Sequence, residues 1–155
     1  MELVEATADD LPTLARLWYA LATAMEPYAE VNAVAYPDAE AVPEDGFRRH
    51  LAADDTTYYL LREGEETVGF LLVRRGEHAS RVHSEYLRIV DLFVREGWRD
   101  RGYGSTTVER VRAMAREDGV DYLKVACEWH NEDARRFYES SGFEEKRVEY
   151  VQRLE

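Results

Sequence analysis

Apolar positions change their period along this chain, and each change marks an element. Leu11, Leu14, Leu17, Trp18, Leu21 and Met25 recur at three- or four-residue spacing, which predicts one amphipathic helix ending near Pro27. Pro12 is tolerated in its first turn. Ahead of it, Leu3 and Val4 suggest a short strand, and Thr7, Asp9 and Asp10 offer an N-cap oxygen and first-turn acids. Between residues 28 and 43 the period disappears. Tyr28, Tyr36, Pro37, Asp38, Glu40 and Pro43 read there as a long loop or broken helix, the kind of segment that often binds. Residues 44–52 predict a second, short helix.

Residues 57–61 and 67–73 are β-branched or aromatic runs joined through Gly64, a hairpin signature. A polar stretch, residues 74–84, leads to an apolar strand over residues 86–94. A helix opening near Ser105 follows, with Val108, Val111 and Met114 or Ala115 on one face and Gly119 as its stop. Residues 122–127 read as a strand, residues 131–141 as a helix closed by Gly142, and residues 143–154 as one or two further strands. Hairpins pair antiparallel and strand-helix-strand units pair parallel. The fold class expected is therefore α/β, with a mixed sheet of six to seven strands and about four helices.

Composition narrows the class. The chain has 155 residues, 45% hydrophobic and 34% charged, with no glycine, serine or proline run to divide it. A single domain is expected over residues 1–155: N-terminal helices and a variable loop in 1–55, a ligand-binding core in 56–143 and a C-terminal strand in 144–155. The apolar runs fall far short of the roughly 20 residues of a membrane span. The start lacks the basic and apolar regions of a signal peptide, and Cys127 has no partner cysteine. A cytoplasmic protein without a membrane partner is expected.

The net charge is −12, and all cations except Lys124 and Lys146 are arginines. A protein this acidic approaches phosphates against its own field, which argues against nucleic acid as a partner. The acids either steer a cationic substrate or keep the protein solvated in a salt-rich cytoplasm. Their spread along the whole chain favours the second.

The chemistry concentrates after the 86–94 strand. Arg99, Asp100, Arg101, Gly102, Tyr103 and Gly104 form a basic, glycine-bearing loop, and Ser105 follows at the helix start. Free N–H groups, the helix dipole and two arginines together make a site for a phosphorylated ligand. It is not a dinucleotide fingerprint, because Thr107 stands where the third glycine belongs. It is not a P-loop, because no Gly-Lys-Ser/Thr sequence occurs. Ser105 suits either a helix cap or a phosphate contact, the cap being favoured.

Arg99-x-x-Gly102-x-Gly104 after Ile89-Val90-Asp91-Leu92-Phe93-Val94 resembles the acyl-CoA loop of the GNAT N-acetyltransferase superfamily. Asn131-x-x-Ala134-x-x-Phe137-Tyr138-x-x-x-Gly142-Phe143 resembles that family's second motif. The resemblance implies that the 99–104 backbone holds the pyrophosphate of acetyl-CoA. It also implies that main-chain groups of Leu92, Phe93 and Val94 pair with the pantetheine arm and supply an oxyanion donor. Asn131 would give a polar contact and Ala134 a close approach. Tyr138 would be the general acid toward the departing thiolate, and the small difference between phenol and thiol pKa values makes that transfer reasonable.

Asp91 is the leading candidate for the base that deprotonates the amine, with Glu85 and Glu128 as weaker ones. Protein-acetylating members carry a glutamate where this chain has Arg88, which cannot act as a base. The acceptor expected is a small-molecule or peptide amine, on a monomer or a homodimer. His50, His78, His83 and His130 lack metal-ligand spacing, so no metal is expected. Cys127, in an apolar strand, reads as a buried inert thiol, Trp18 and Trp98 as packing aromatics, and Trp129 as packing or pocket lining. A non-catalytic acyl-CoA-binding module is the alternative, and the acidic, tyrosine-bearing 28–43 segment suits a cationic or aromatic amine.

Overall fold

The computed structural model describes all 155 residues. Five strands form one sheet in the order in which they occur in the chain: β1 (Glu2–Glu5), β2 (Thr56–Glu63), β3 (Glu66–Glu77), β4 (Glu85–Val94) and β5 (Tyr122–Val125). The first three pairings are antiparallel and the β4–β5 pairing is parallel. Four α-helices flank the sheet: α1 (Leu11–Met25), α2 (Asp45–Ala52), α3 (Tyr103–Asp118) and α4 (Glu132–Ser140). No helix is long and apolar enough to cross a membrane.

Alternation along the strands splits the core in two. Tyr58, Leu60, Phe70, Leu72 and Phe93 point to one face and pack with Leu11, Leu14 and Leu17 of α1 and Phe47 of α2. Leu61, Leu71, Val73, Leu87 and Ile89 point to the other and meet Val108, Val111 and Ala115 of α3. Side chains one residue apart on a strand face opposite ways, so two apolar faces need an apolar run rather than alternation. That is why β3 reads Val68-Gly69-Phe70-Leu71-Leu72-Val73.

The N-terminus of the α1 region is fixed as its residues suggest. Thr7 accepts from the Asp9 N–H at 3.3 Å, and Asp10 accepts from the Thr7 N–H at 2.9 Å. Residues 28–43 form short 3-10 turns rather than a continuous helix.

The expected count of six to seven strands is not met, because residues 144–155 form no strand. Val148, Tyr150, Val151 and Leu154 of this tail are exposed. Their apolar spacing suits a strand, but a strand exists only where a partner completes its ladder. The tail is tied instead to the loop after α1, through an Arg153–Glu30 ion pair at 2.5 Å.

One irregularity in the sheet shapes everything near the motifs. Leu72 faces Asp91 while Val73 faces Ile89, so Val90 is an extra residue on β4. Pairing of β4 with β5 ends at Ile89 and Val125. A bulge bends its strand and ends regular pairing. Beyond it, the edge of β4 carrying Leu92, Phe93 and Val94 has no strand beside it.

Candidate active site

The cleft opened by that bulge has a volume of about 390 Å³. Val90, Asp91 and Leu92 form one wall; Val125, Ala126, Cys127 and Glu128 form the opposite one. Asn131, Ala134 and Tyr138 of the α4 region close it on one side, and Trp18, Leu21, Ala22, Met25 and Asn32 close it on the other. A larger cleft of about 450 Å³ runs between α3 and the outer edge of β5, but it holds none of the candidate residues.

The loop before α3 follows from two left-handed residues, Asp100 at φ 61° and Gly102 at φ 84°. Gly102 can take that angle at little cost; Asp100 is one of the few other residue types that tolerate it. Together they curl the backbone into a concave turn, of the kind whose N–H groups surround anions. The helix begins at Tyr103, two residues earlier than the sequence suggests, with Gly102 as its N-cap and no side-chain cap bond. Ser105 therefore caps nothing; it sits exposed in the first turn, among N–H groups with no intrahelical acceptor.

Both arginines of the loop are held by their neighbours. The Arg99 Nε donates to the Val94 carbonyl at 3.0 Å, and its guanidinium lies 5.7 Å from the Phe93 ring centroid. Arg101 stacks over Trp98 at 4.9 Å. Their free N–H groups remain exposed beside the turn.

Gly104 ties the two motifs together. A Cβ at this position would lie 3.2 Å from Cζ of Phe137, so the missing side chain is what lets α4 approach α3. At the start of α4 the Asn131 Oδ1 accepts from the Ala134 N–H at 3.1 Å. Asn131 is thus the helix cap, and its amide N–H groups remain available at the cleft wall.

Tyr138 stands at the cleft with its ring fixed edge-on against Phe137, at 5.0 Å, and Phe143, at 5.6 Å. Its hydroxyl makes no hydrogen bond within the chain. Burial, and then the neighbouring Cys127 and Asp91, lift its pKa well above the ordinary tyrosine value. Asp91 is likewise without a hydrogen bond or ion pair inside the protein. Burial raises its pKa above the usual carboxylate range, against the opposing pull of Arg88 and Arg74. Arg88 faces Arg74 across the β3–β4 ladder.

Glu85 is remote from this site: it pairs with Arg75 at 3.3 Å, at the far end of β4. Glu128 is within it. Cys127 is not the buried strand thiol that the sequence suggests; β5 stops at Val125 and Cys127 is exposed in the cleft. Trp129 stacks on Arg135 at 3.9 Å and does not line the cleft. Trp18 does, together with Leu21 and Met25, which the sequence pattern marks only as a helix stripe, and Asn32, which lies in the 28–43 segment.

The model of the acetyltransferase (GNAT) family matches residues 18–143. The chain belongs to this family. Both GNAT motifs lie inside the matched span, and acetyl-CoA is the acyl donor that the family generally uses. Among solved structures, a tetramutant of the BH1408 protein from Bacillus halodurans superposes with a TM-score of 0.87 at 21% identity, over 99% of this chain and 100% of that one. A transcriptional regulator from Bacillus halodurans C-125 gives 0.77 at 23% identity, over 99% of each chain. An aminoglycoside acetyltransferase from an uncultured soil metagenomic sample, in complex with sisomicin, gives 0.72 at 20% identity, over 99% of this chain and 96% of that one. At such identities the likeness is one of fold. No curated protein matches the chain at a significant level. The gap beyond the bulge lies between the strands that precede the two motifs.

Proposed function

We propose that this protein is an acetyl-CoA-dependent N-acetyltransferase that passes the acetyl group directly to a primary amine. The observation that carries the reading is the cleft itself, where an unpaired strand edge meets an unpartnered tyrosine and an unpartnered aspartate, with the 99–104 turn following that same strand.

The residues present fit the acyl donor. The 99–104 turn, the first N–H groups of α3, and the guanidinium groups of Arg99 and Arg101 suit a pyrophosphate. The open edge at Leu92, Phe93 and Val94 suits an arm with amide groups, which pairs there as an added strand would. The amide of Asn131 and the small Ala134 face the same arm. Bound acetyl-CoA supplies the activated acyl carbon.

Asp91 accepts the proton that the attacking ammonium must lose. Its raised pKa brings its basicity closer to that task. Tyr138 donates its hydroxyl proton to sulfur as the C–S bond breaks and the C–N bond forms. The hydroxyl is protonated at neutral pH as any phenol is, and burial keeps it so at higher pH while widening its pKa gap to the departing thiol. A main-chain N–H of the 92–94 edge serves as oxyanion donor. No side chain of the protein is acylated in this scheme, and Cys127, whose pKa the partial desolvation of the cleft wall raises, stays a thiol.

Calorimetric titration with acetyl-CoA and with ATP tests the donor assignment. Saturable binding of acetyl-CoA, tighter than that of ATP, is expected; tighter binding of ATP overturns it.

A further inference from the structure

The mechanism above leaves Glu128 unused, although it is fixed more firmly than either catalytic group. Asn32, in a 3-10 turn of the loop after α1, spends both amide hydrogens there. One goes to the Met25 carbonyl at 3.0 Å and the other to the Glu128 carboxylate. The Glu128 carbonyl accepts from the Asn131 N–H at 3.0 Å, so its backbone is locked to the start of α4. Glu128 is thereby held from both sides of the cleft, half-buried.

Asn32 brings a hydrogen bond but no charge, and Glu128 has no ion pair. The only other carboxyl side chain on the cleft wall is that of Asp91, and no lysine, arginine or histidine lines it. Trp18, Leu21 and Met25 give the same cleft an apolar lining. The cleft therefore holds a second anionic group and an apolar lining besides the reacting end.

We propose that Glu128, positioned by Asn32, is the specificity-determining residue for the acceptor. It binds a second cationic group on a small amine, while the reacting amine lies at Asp91 and Tyr138. The acceptor class is a diamine, or an amine carrying another fixed positive charge, with a short apolar body between the two. This rests on the acetyl-transfer reading. A charge half removed from water and already hydrogen-bonded on one oxygen has an acceptor lone pair left for an ammonium. Removal of its charge costs affinity for the doubly charged ligand only.

The test pairs 1,4-diaminobutane with butylamine, which differ by one ammonium group. In the wild type the diamine is expected to have a kcat/KM roughly tenfold higher, and to bind tighter by calorimetry, as a hydrogen-bonded charge pair at a partly buried site provides. E128Q keeps an oxygen for Asn32 and is expected to erase that preference through the KM of the diamine. N32A, which frees the Glu128 side chain, reduces it in part. Thermal unfolding of each variant monitors the fold.

Equal kcat/KM for both amines in the wild type overturns the proposal, as does an E128Q variant that loses both amines alike. Thiol release from neither amine, nor from any member of a wider amine panel, overturns the transfer reading instead. Calorimetry then still decides this proposal: Glu128-dependent preference for the diamine upholds it and equal affinity refutes it.

Discussion

Replacing Asp91 by asparagine is expected to make the protein more stable and nearly inactive, an unusual pairing for a half-buried polar site. The carboxylate accepts no hydrogen bond and makes no ion pair within the chain, so the amide loses no partner. The main energetic effect is burial of the charge, which outweighs the attraction of Arg88 and Arg74 and leaves the pKa raised. Removing such a charge yields about 1 kcal/mol, the usual size of a gain obtained by relieving a functional site. In a domain of this size that corresponds to a rise in Tm of roughly 2–4 °C. Loss of a general base costs about 100-fold or more in rate.

The sign with pH follows from linkage. The native pKa of Asp91 lies above its unfolded value, so the native state binds the extra proton between the two. The wild type therefore gains stability as pH falls through the native pKa, and the advantage of Asp91→Asn shrinks over the same window and is greatest above it. Thermal melts at several pH values, with thiol-release rates at each, supply both readouts. A variant that melts lower than wild type at pH 8, or that turns over at the wild-type rate, refutes the account of Asp91 as an unpaired base.

Tyr138→Phe keeps the ring between Phe137 and Phe143 and removes only the hydroxyl, so kcat is expected to fall by about 10²–10³-fold while the KM for acetyl-CoA holds within a few-fold. Burial lifts this hydroxyl above the ordinary value, so a rate that declines as pH rises toward about 10 argues against its role. Gly104→Ala places a methyl 3.2 Å from Phe137 and moves α4 by a few tenths of an ångström. Turnover is expected to drop about tenfold through misplacement of Tyr138, with a small change in Tm by calorimetry. Arg101→Gln removes a cation from the turn while the backbone stays, and is expected to raise the Kd for acetyl-CoA several-fold, with a weaker salt dependence of binding.

Elements with a strong local signal were legible in the sequence. The period of α1, the Thr7 and Asp10 pattern, the hairpin through Gly64, and the 99–104 loop all depend on residues close together in the chain. The residues that decide the site's shape were less so. Val90 looks like any strand valine, and the bulge shows only as a slip between β3 and β4, a relation between distant segments. Cys127 was misplaced for the same reason, because where β5 stops is set by its pairing with β4 and not by its own apolar residues. Trp18, Leu21 and Met25 continue the α1 stripe without a break. Only their partial burial, against full burial of Leu11 and Leu14, separates cleft wall from core, and that partial exposure is not written in the spacing. Asn32 in the non-periodic segment had no signal beyond the loop that carries it. The tail shows the reverse error, since its apolar spacing promised strands that lack a partner.

The central claim is direct acetyl transfer from acetyl-CoA to an amine held in the cleft between β4 and β5. Initial-rate thiol release, with acetyl-CoA and a panel of mono- and diamines varied together at low and high salt, tests it most directly. Release that requires the amine, gives intersecting double-reciprocal lines and is matched by acetylated amine in the mass spectrum is the predicted result. Parallel lines with an acetylated protein, or no amine-dependent release from any member of the panel, contradict it.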